Sequence, residues 1–166
     1  RAMHLPKFSA KRTNPDGDTD LPRRPSHILL VEDSPTDIMM VREVLEQTGL
    51  RNTVHVVEDG VEALRFLRRQ DNYAHAPRPD LILLDLNLPG MNGKEVLADI
   101  KADANLRTIP VVILTSSKNE ADVSGAYQQW ANCYVTKPVD YGEFTETVSR
   151  IERFWLGGVV TLTEKE

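Results

Sequence analysis

The chain has 166 residues, a formal net charge of −5 at pH 7 and a single cysteine, Cys133. That length suits one domain with a sizeable core, and the negative charge argues against nucleic acid as the main partner, since phosphate binding needs a basic surface. No apolar run is long enough to span a bilayer or to act as a signal peptide, and a lone cysteine excludes an intrachain disulfide framework, so a cytoplasmic location is expected.

Residues 1–25 hold four prolines, several basic residues and the acids Asp16, Asp18 and Asp20, and are expected to form a flexible tail. From His27 onward apolar strands alternate with amphipathic helices. The first strand is predicted over 27–32 and ends on two carboxylates, Glu32 and Asp33. A helix follows, with Ser34 as cap, Pro35 in its first turn, an inward stripe of Ile38, Val41 and Leu45, and Gly49 at its end. The second strand is Thr53–Val57. Asp59-Gly60-Val61-Glu62 then reads as a capping box for a helix that turns Leu64 and Leu67 inward.

A polar linker leads to Leu81-Ile82-Leu83-Leu84, which has no helical period and reads as a strand buried on both faces; it ends on Asp85. The third helix begins near Gly93 and buries Val96, Leu97 and Ile100. The fourth strand is Pro110–Thr115 and its helix runs from about Asn119 to Trp130. The fifth strand is Cys133–Thr136. The last helix opens at Asp140 and carries Phe144, Val148, Ile151 and Trp155 at helical spacing. Strict alternation predicts an α/β fold, a parallel sheet with right-handed crossovers and helices on both faces. The domain built from these elements is expected over residues 26–156, with 157–166 as a C-terminal tail or arm.

Strand ends in such sheets open onto the functional crevice. Glu32, Asp33, Asp85, Thr115 and Lys137 all stand at strand ends. Converging acids repel one another unless a cation lies among them. Hard carboxylates, a loop carbonyl and waters make an open Mg²⁺ site. Asp85 is then placed as a nucleophile that forms an acyl phosphate, with Lys137 to neutralise phosphoryl oxygens and Thr115 to donate a hydrogen bond. Taken singly, a strand-end acid is commonly a helix cap and a lysine a solvated charge. It is their conjunction that points to phosphoryl transfer.

Val31-Glu32-Asp33, Leu83-Leu84-Asp85-Leu86-Asn87-Leu88-Pro89-Gly90-Met91-Asn92-Gly93, Leu114-Thr115-Ser116 and Tyr134-Val135-Thr136-Lys137-Pro138 resemble the receiver domain of two-component response regulators. The resemblance covers about 27–155 and implies a flavodoxin-like fold with strand order 2-1-3-4-5, and phosphotransfer from a histidine kinase to Asp85. It further implies that Asp33, Asp85 and the backbone carbonyl of Asn87 hold Mg²⁺, with Glu32 acting mostly through water, and that Thr115 and Tyr134 form a switch pair. Ala131–Asp140 and Phe154-Trp155-Leu156 resemble more closely the stand-alone regulators that serve phytochrome histidine kinases. Trp130 departs from the pattern, which favours a small residue there.

Residues 157–163 are too short for an output module, so the signal is expected to leave through a protein surface. Tyr127, Trp130, Phe154 and Trp155 are its candidates, with Trp155 leaning toward the core and Tyr127 toward the interface. A homodimer through the fourth helix, fifth strand and fifth helix is expected, with Val159-Val160-Thr161-Leu162 as an arm. A phosphatase of the haloacid dehalogenase type is disfavoured, because it needs an acid where Asn87 stands. A flavin binder is disfavoured because no glycine-rich loop follows the first strand. Turnover of a separate substrate is not expected.

Overall fold

The apolar runs predicted as strands form one parallel sheet, and their register sets everything that follows. The structure is a computed structural model describing residues 8–10, 24–158 and 162–164. Its strands and helices alternate as β1 (Ser26–Val31), α1 (Pro35–Gln47), β2 (Asn52–Val57), α2 (Gly60–Leu67), β3 (Leu81–Leu84), α3 (Gly93–Ala102), β4 (Val111–Thr115), α4 (Glu120–Gln128), β5 (Cys133–Thr136) and α5 (Tyr141–Glu152). The spatial order is β2-β1-β3-β4-β5, all parallel, so the expected 2-1-3-4-5 order is observed.

Each face of the sheet carries its own core. Leu29, Val31, Ile82, Leu84, Val111 and Ile113 meet Ala63, Phe66, Val96, Leu97 and Ile100 from α2 and α3. On the other face Ile28, Leu30, Leu81, Leu83, Val112 and Leu114 meet Val41, Leu45, Phe144, Val148 and Ile151 from α1 and α5. Every residue of β3 is buried, the signature of a central strand covered on both sides.

Local chemistry sets the helix ends. Ser34 Oγ accepts from the Asp37 N–H at 3.4 Å, and Gly49, at φ 75°, follows the end of α1. The inward stripe of α1 is Val41, Val44 and Leu45, with Ile38 only partly buried. The capping box expected at α2 is half formed. Asp59 accepts from the Glu62 N–H at 2.8 Å, but the Glu62 carboxylate is taken by Arg65 and by the Tyr73 hydroxyl at 2.9 and 2.8 Å. The full reciprocal box lies instead at α3, between Asn92 and Glu95.

Of the two expected tails, residues 1–7, 11–23, 159–161, 165 and 166 lie outside the described residues, including most of the proposed arm. Phe8–Ala10 and Leu162–Glu164 pair as an antiparallel ribbon, with Phe8 opposite Glu164.

A buried acid closes the sheet edge opposite the strand exits. Glu152, at the end of α5, is fully buried and accepts from Asn52 Nδ2 at 2.6 Å, while its second carboxylate oxygen has no hydrogen-bond partner among the described residues. Burial raises its pKa, with the side chains of Thr48 and Asn52 and the charge of Arg153 opposing. A carboxyl raised on folding contributes stability that is full below the ordinary glutamate value of 4.5 and fades as pH rises through the raised one. Glu152→Gln is therefore expected to gain on the native chain by about 1 kcal/mol between pH 5 and pH 8 in urea unfolding. A native chain whose advantage over the variant grows with pH contradicts this.

Candidate functional site

Sheet register brings the strand-end residues together. Val31 is level with Leu84, so Glu32 and Asp85 leave adjacent strands side by side, and the Asp85 N–H donates to the Val31 carbonyl at 3.0 Å. Thr115 is level with Thr136, and the Lys137 N–H donates to the Thr115 carbonyl at 2.7 Å, which places Lys137 just past the sheet. Glu32, Asp33 and Asp85 each offer a carboxylate oxygen within 4.8 Å of the others. Glu32 and Asp85 are buried, whereas Asp33 faces solvent. These are hard oxygen donors with one open side, the arrangement that divalent Mg²⁺ or Mn²⁺ takes.

The Lys137 ammonium sits among the acids. Its Nζ donates to Asp85 Oδ2 at 2.9 Å, to Asp37 Oδ2 at 2.8 Å and to Glu32 Oε2. Its side chain is only 8% exposed, so the charge would be costly without these partners. Burial works against the lysine's charge, yet the carboxylates of Asp37, Glu32 and Asp85 together raise its pKa. Glu32 is pushed up to about 7, first by burial and then by the charge of Asp85, against the pull of Lys137 and of the Ser34 N–H.

The remaining predicted residues flank this cluster. The Asn87 N–H donates to Asp85 Oδ1 at 3.1 Å, so its recorded contact with the acid is through nitrogen. Thr115 is fully buried, and its Oγ1 accepts from Asn87 Nδ2 and the Ser117 N–H at 3.5 Å each, both long. Tyr134 is half-buried and donates its hydroxyl to the Ser117 carbonyl at 2.9 Å. The Tyr134 N–H in turn donates to the Tyr127 hydroxyl at 3.2 Å, which ties α4 to β5.

The four surface candidates divide. Tyr127, Phe154 and Trp130 are 49%, 55% and 77% exposed, whereas Trp155 packs on the core beneath α1 and α5. Trp130 has φ 65°, a left-handed position after α4 at which glycine is usual, and this is the physical reason that a small residue is expected there.

Two participants were not read from the sequence. Asp37 shares Lys137, and its signal was its place three residues after the Ser34 cap, where an acid faces the strand exits. Ser117 joins Thr115 to Tyr134, and no local pattern marks it.

Residues 28–149 match the family described as the response regulator receiver domain. Response regulator Rcp1 of Synechocystis sp. is 48% identical over 132 residues, 80% of this chain and 90% of that protein. Among solved structures, the phosphorylated cyanobacterial phytochrome response regulator RcpA matches with a TM-score of 0.82 and 45% identity, over 85% of this chain and 100% of that one. The Mn²⁺-bound form of Rcp1 matches with a TM-score of 0.79 and 46% identity, over 86% and 100% of the two chains.

Gly93 holds the loop that follows Asp85 against α3. A Cβ there would stand 2.1 Å from the Asp85 carbonyl oxygen and 2.6 Å from Leu86 Cα, both backbone atoms that cannot rotate away. Gly93→Ala is expected to lower stability by about 1–3 kcal/mol in urea unfolding. Gly125→Ala, inside α4 with open space around it, should instead raise stability by about 0.5–1 kcal/mol. Equal effects at the two positions contradict the close approach at Gly93.

Proposed function

The chain belongs to the response regulator receiver domain family, and from that premise we propose that Asp85 is its phosphoacceptor and that Mg²⁺ is its cofactor. The domain serves phosphorylation-based signalling. One observation carries the assignment of Asp85: it is the buried strand-end acid held between Lys137 and the Asn87 N–H, beside the carboxylates of Glu32 and Asp33. In the transfer, an Asp85 carboxylate oxygen attacks phosphorus, the O–P bond forms, and the P–N bond of a donor phosphohistidine breaks.

Asp33, Asp85 and the carbonyl of Asn87 would hold Mg²⁺, with Glu32 acting through water. When bound, the ion supplies charge neutralisation at the phosphoryl oxygens. Lys137 keeps its ammonium at Asp85 and offers it to the incoming group. Thr115 and Tyr134 act as the switch pair: the Thr115 hydroxyl turns to the phosphoryl group, and the Tyr134 ring carries the change to the face of α4, β5 and α5. The result is a shift between two states of one fold. No separate substrate is turned over.

The donor we propose is a histidine kinase of the phytochrome type, supported by the likeness to regulators of that class. No helix among the described residues is long and apolar enough to cross a membrane, and we assign the protein to the cytoplasm. We assign it a homodimer through α4, β5 and α5, since Tyr127, Trp130 and Phe154 present apolar surface there.

Incubation with acetyl phosphate and Mg²⁺ is expected to add one phosphoryl group to the native chain by intact mass, and none to Asp85→Asn. Robust phosphorylation of that variant would refute Asp85 as the acceptor. Light scattering at tens of micromolar should give a dimer mass for the full chain. A monomer, with or without a phosphoryl mimic, rules the dimer out, and an unchanged dimer after truncation beyond Leu156 rules out only the arm.

A further inference from the structure

Ser117 makes four hydrogen bonds, and three of them lead to different parts of the switch. Its N–H donates to Thr115 Oγ1 at 3.5 Å and its carbonyl accepts the Tyr134 hydroxyl at 2.9 Å. Its own hydroxyl donates to Asp122 Oδ2 at 2.5 Å and accepts from the Asn119 N–H at 3.4 Å. Asp122 lies in the first turn of α4, and its other oxygen pairs with Lys94 Nζ in the first turn of α3. A chain of contacts therefore runs from α3 through Lys94, Asp122 and Ser117 to both Thr115 and Tyr134.

The two ends of the ion pair differ in what they gain. Asp122 is favoured by the positive end of the α4 dipole, but Lys94 stands at the positive end of α3, where a cation is disfavoured. A carboxylate across the gap offsets that disfavour, and Asp122 supplies it. The ion pair with Lys94, then the Ser117 hydroxyl, hold the Asp122 carboxyl below its ordinary range. The two side chains are 42% and 22% exposed, so the pair is a weak and reversible tie rather than a structural rivet.

We propose that Lys94, Asp122 and Ser117 form a latch that pins the loop after Thr115 to α3 in the resting state and so opposes the switch. The proposal rests on the reading of Asp85 as phosphoacceptor and of Thr115 and Tyr134 as its sensors. To reach a phosphoryl group on Asp85, Thr115 must move with the loop that follows it. Ser117 is two residues away and anchored on two sides. Motion of the loop strains the Ser117–Asp122 bond and frees the Tyr134 hydroxyl in the same event. A partly exposed ion pair of this kind is expected to shift the population about three- to fivefold. Such a tie sets the resting population without blocking the response.

Three variants separate a latch from a simple change of charge near the site. Asp122→Ala makes the surroundings more positive, Lys94→Ala makes them more negative, and Ser117→Ala leaves the charge unchanged. All three cut the same chain of contacts. Each is expected to speed phosphorylation by acetyl phosphate at saturating Mg²⁺ about three- to fivefold, while Lys94→Arg keeps the native rate. In the unphosphorylated chain, amide hydrogen exchange over 116–119 should quicken in all three. Rates that move in opposite directions for Asp122→Ala and Lys94→Ala, with Ser117→Ala at the native rate, would assign the effect to charge alone and overturn the latch. Unchanged exchange in the loop would overturn it as well. If the native chain takes up no phosphoryl group, the functional reading fails, and the exchange comparison still decides whether the loop is tied.

Discussion

Negative charge gathered at one sheet edge is the constraint on which the rest of this structure depends. Glu32, Asp33, Asp37 and Asp85 all come to the exits of β1 and β3, and two of them are buried. Carboxylates taken out of water near one another are strongly unfavourable unless a cation meets them. Lys137 supplies that cation from β5, a strand that is not a neighbour of either β1 or β3. Its long side chain has to cross the exit of β4 to do so, which is possible only because the strands are parallel and in register. The fold is thus what makes a single lysine adequate for the resting cluster.

The same register explains why the proposed sensing falls to β4 and β5. Thr115 and Tyr134 are on the strands between Asp85 and the open edge of the sheet, and both hydrogen-bond to Ser117. The contact from Thr115 is long, whereas the one from Tyr134 is of ordinary length. A weakly held hydroxyl next to a well-held ring is an asymmetric pair: the first is ready to exchange partners and the second needs a reason to leave. The Lys94–Asp122 tie adds to that asymmetry from the far side, through α3 and α4.

Most of the architecture was legible because it is written in local patterns. Leu81–Leu84 has no helical period and is followed by an acid, and it is the central strand; Phe144, Val148 and Ile151 keep helical spacing, and they are core. What escaped was set by contacts distant in sequence. Glu62 looked like the third residue of a capping box, but Tyr73 and Arg65 compete for its carboxylate. Asn92 and Glu95 form the complete box, hidden in a stretch read as part of the receiver-domain motif rather than for its capping. Val44 rather than Ile38 completes the α1 stripe, since the packing of α5 decides which side of α1 is covered. Ser117 and Asp122 carry no motif of their own; the turn into α4 joins them to each other, and only the approach of α3 gives Asp122 its second partner, Lys94. The strand-end acids were legible for the opposite reason, because position after a buried strand is itself a statement about where a side chain stands.

The charge count at the site has a consequence for phosphorylation itself. One ammonium already serves Glu32, Asp37 and Asp85. Phosphorylation would replace the single charge of the Asp85 carboxylate with a phosphoryl group of about −1.5 to −2 and three strong acceptor oxygens. Lys137 cannot meet these without loosening its hold on at least one carboxylate, and the remaining acids would then be exposed to each other's charge. A divalent ion held by Asp33 and Asp85 would supply positive charge that relieves that conflict. Lys137 would then be free to turn from neutralising acids to holding the phosphoryl group, as proposed. On this view the lysine and a divalent ion would divide the work by state: the ammonium stabilises the resting cluster of Glu32, Asp37 and Asp85, and a bound ion would supply the positive charge that lets it leave them.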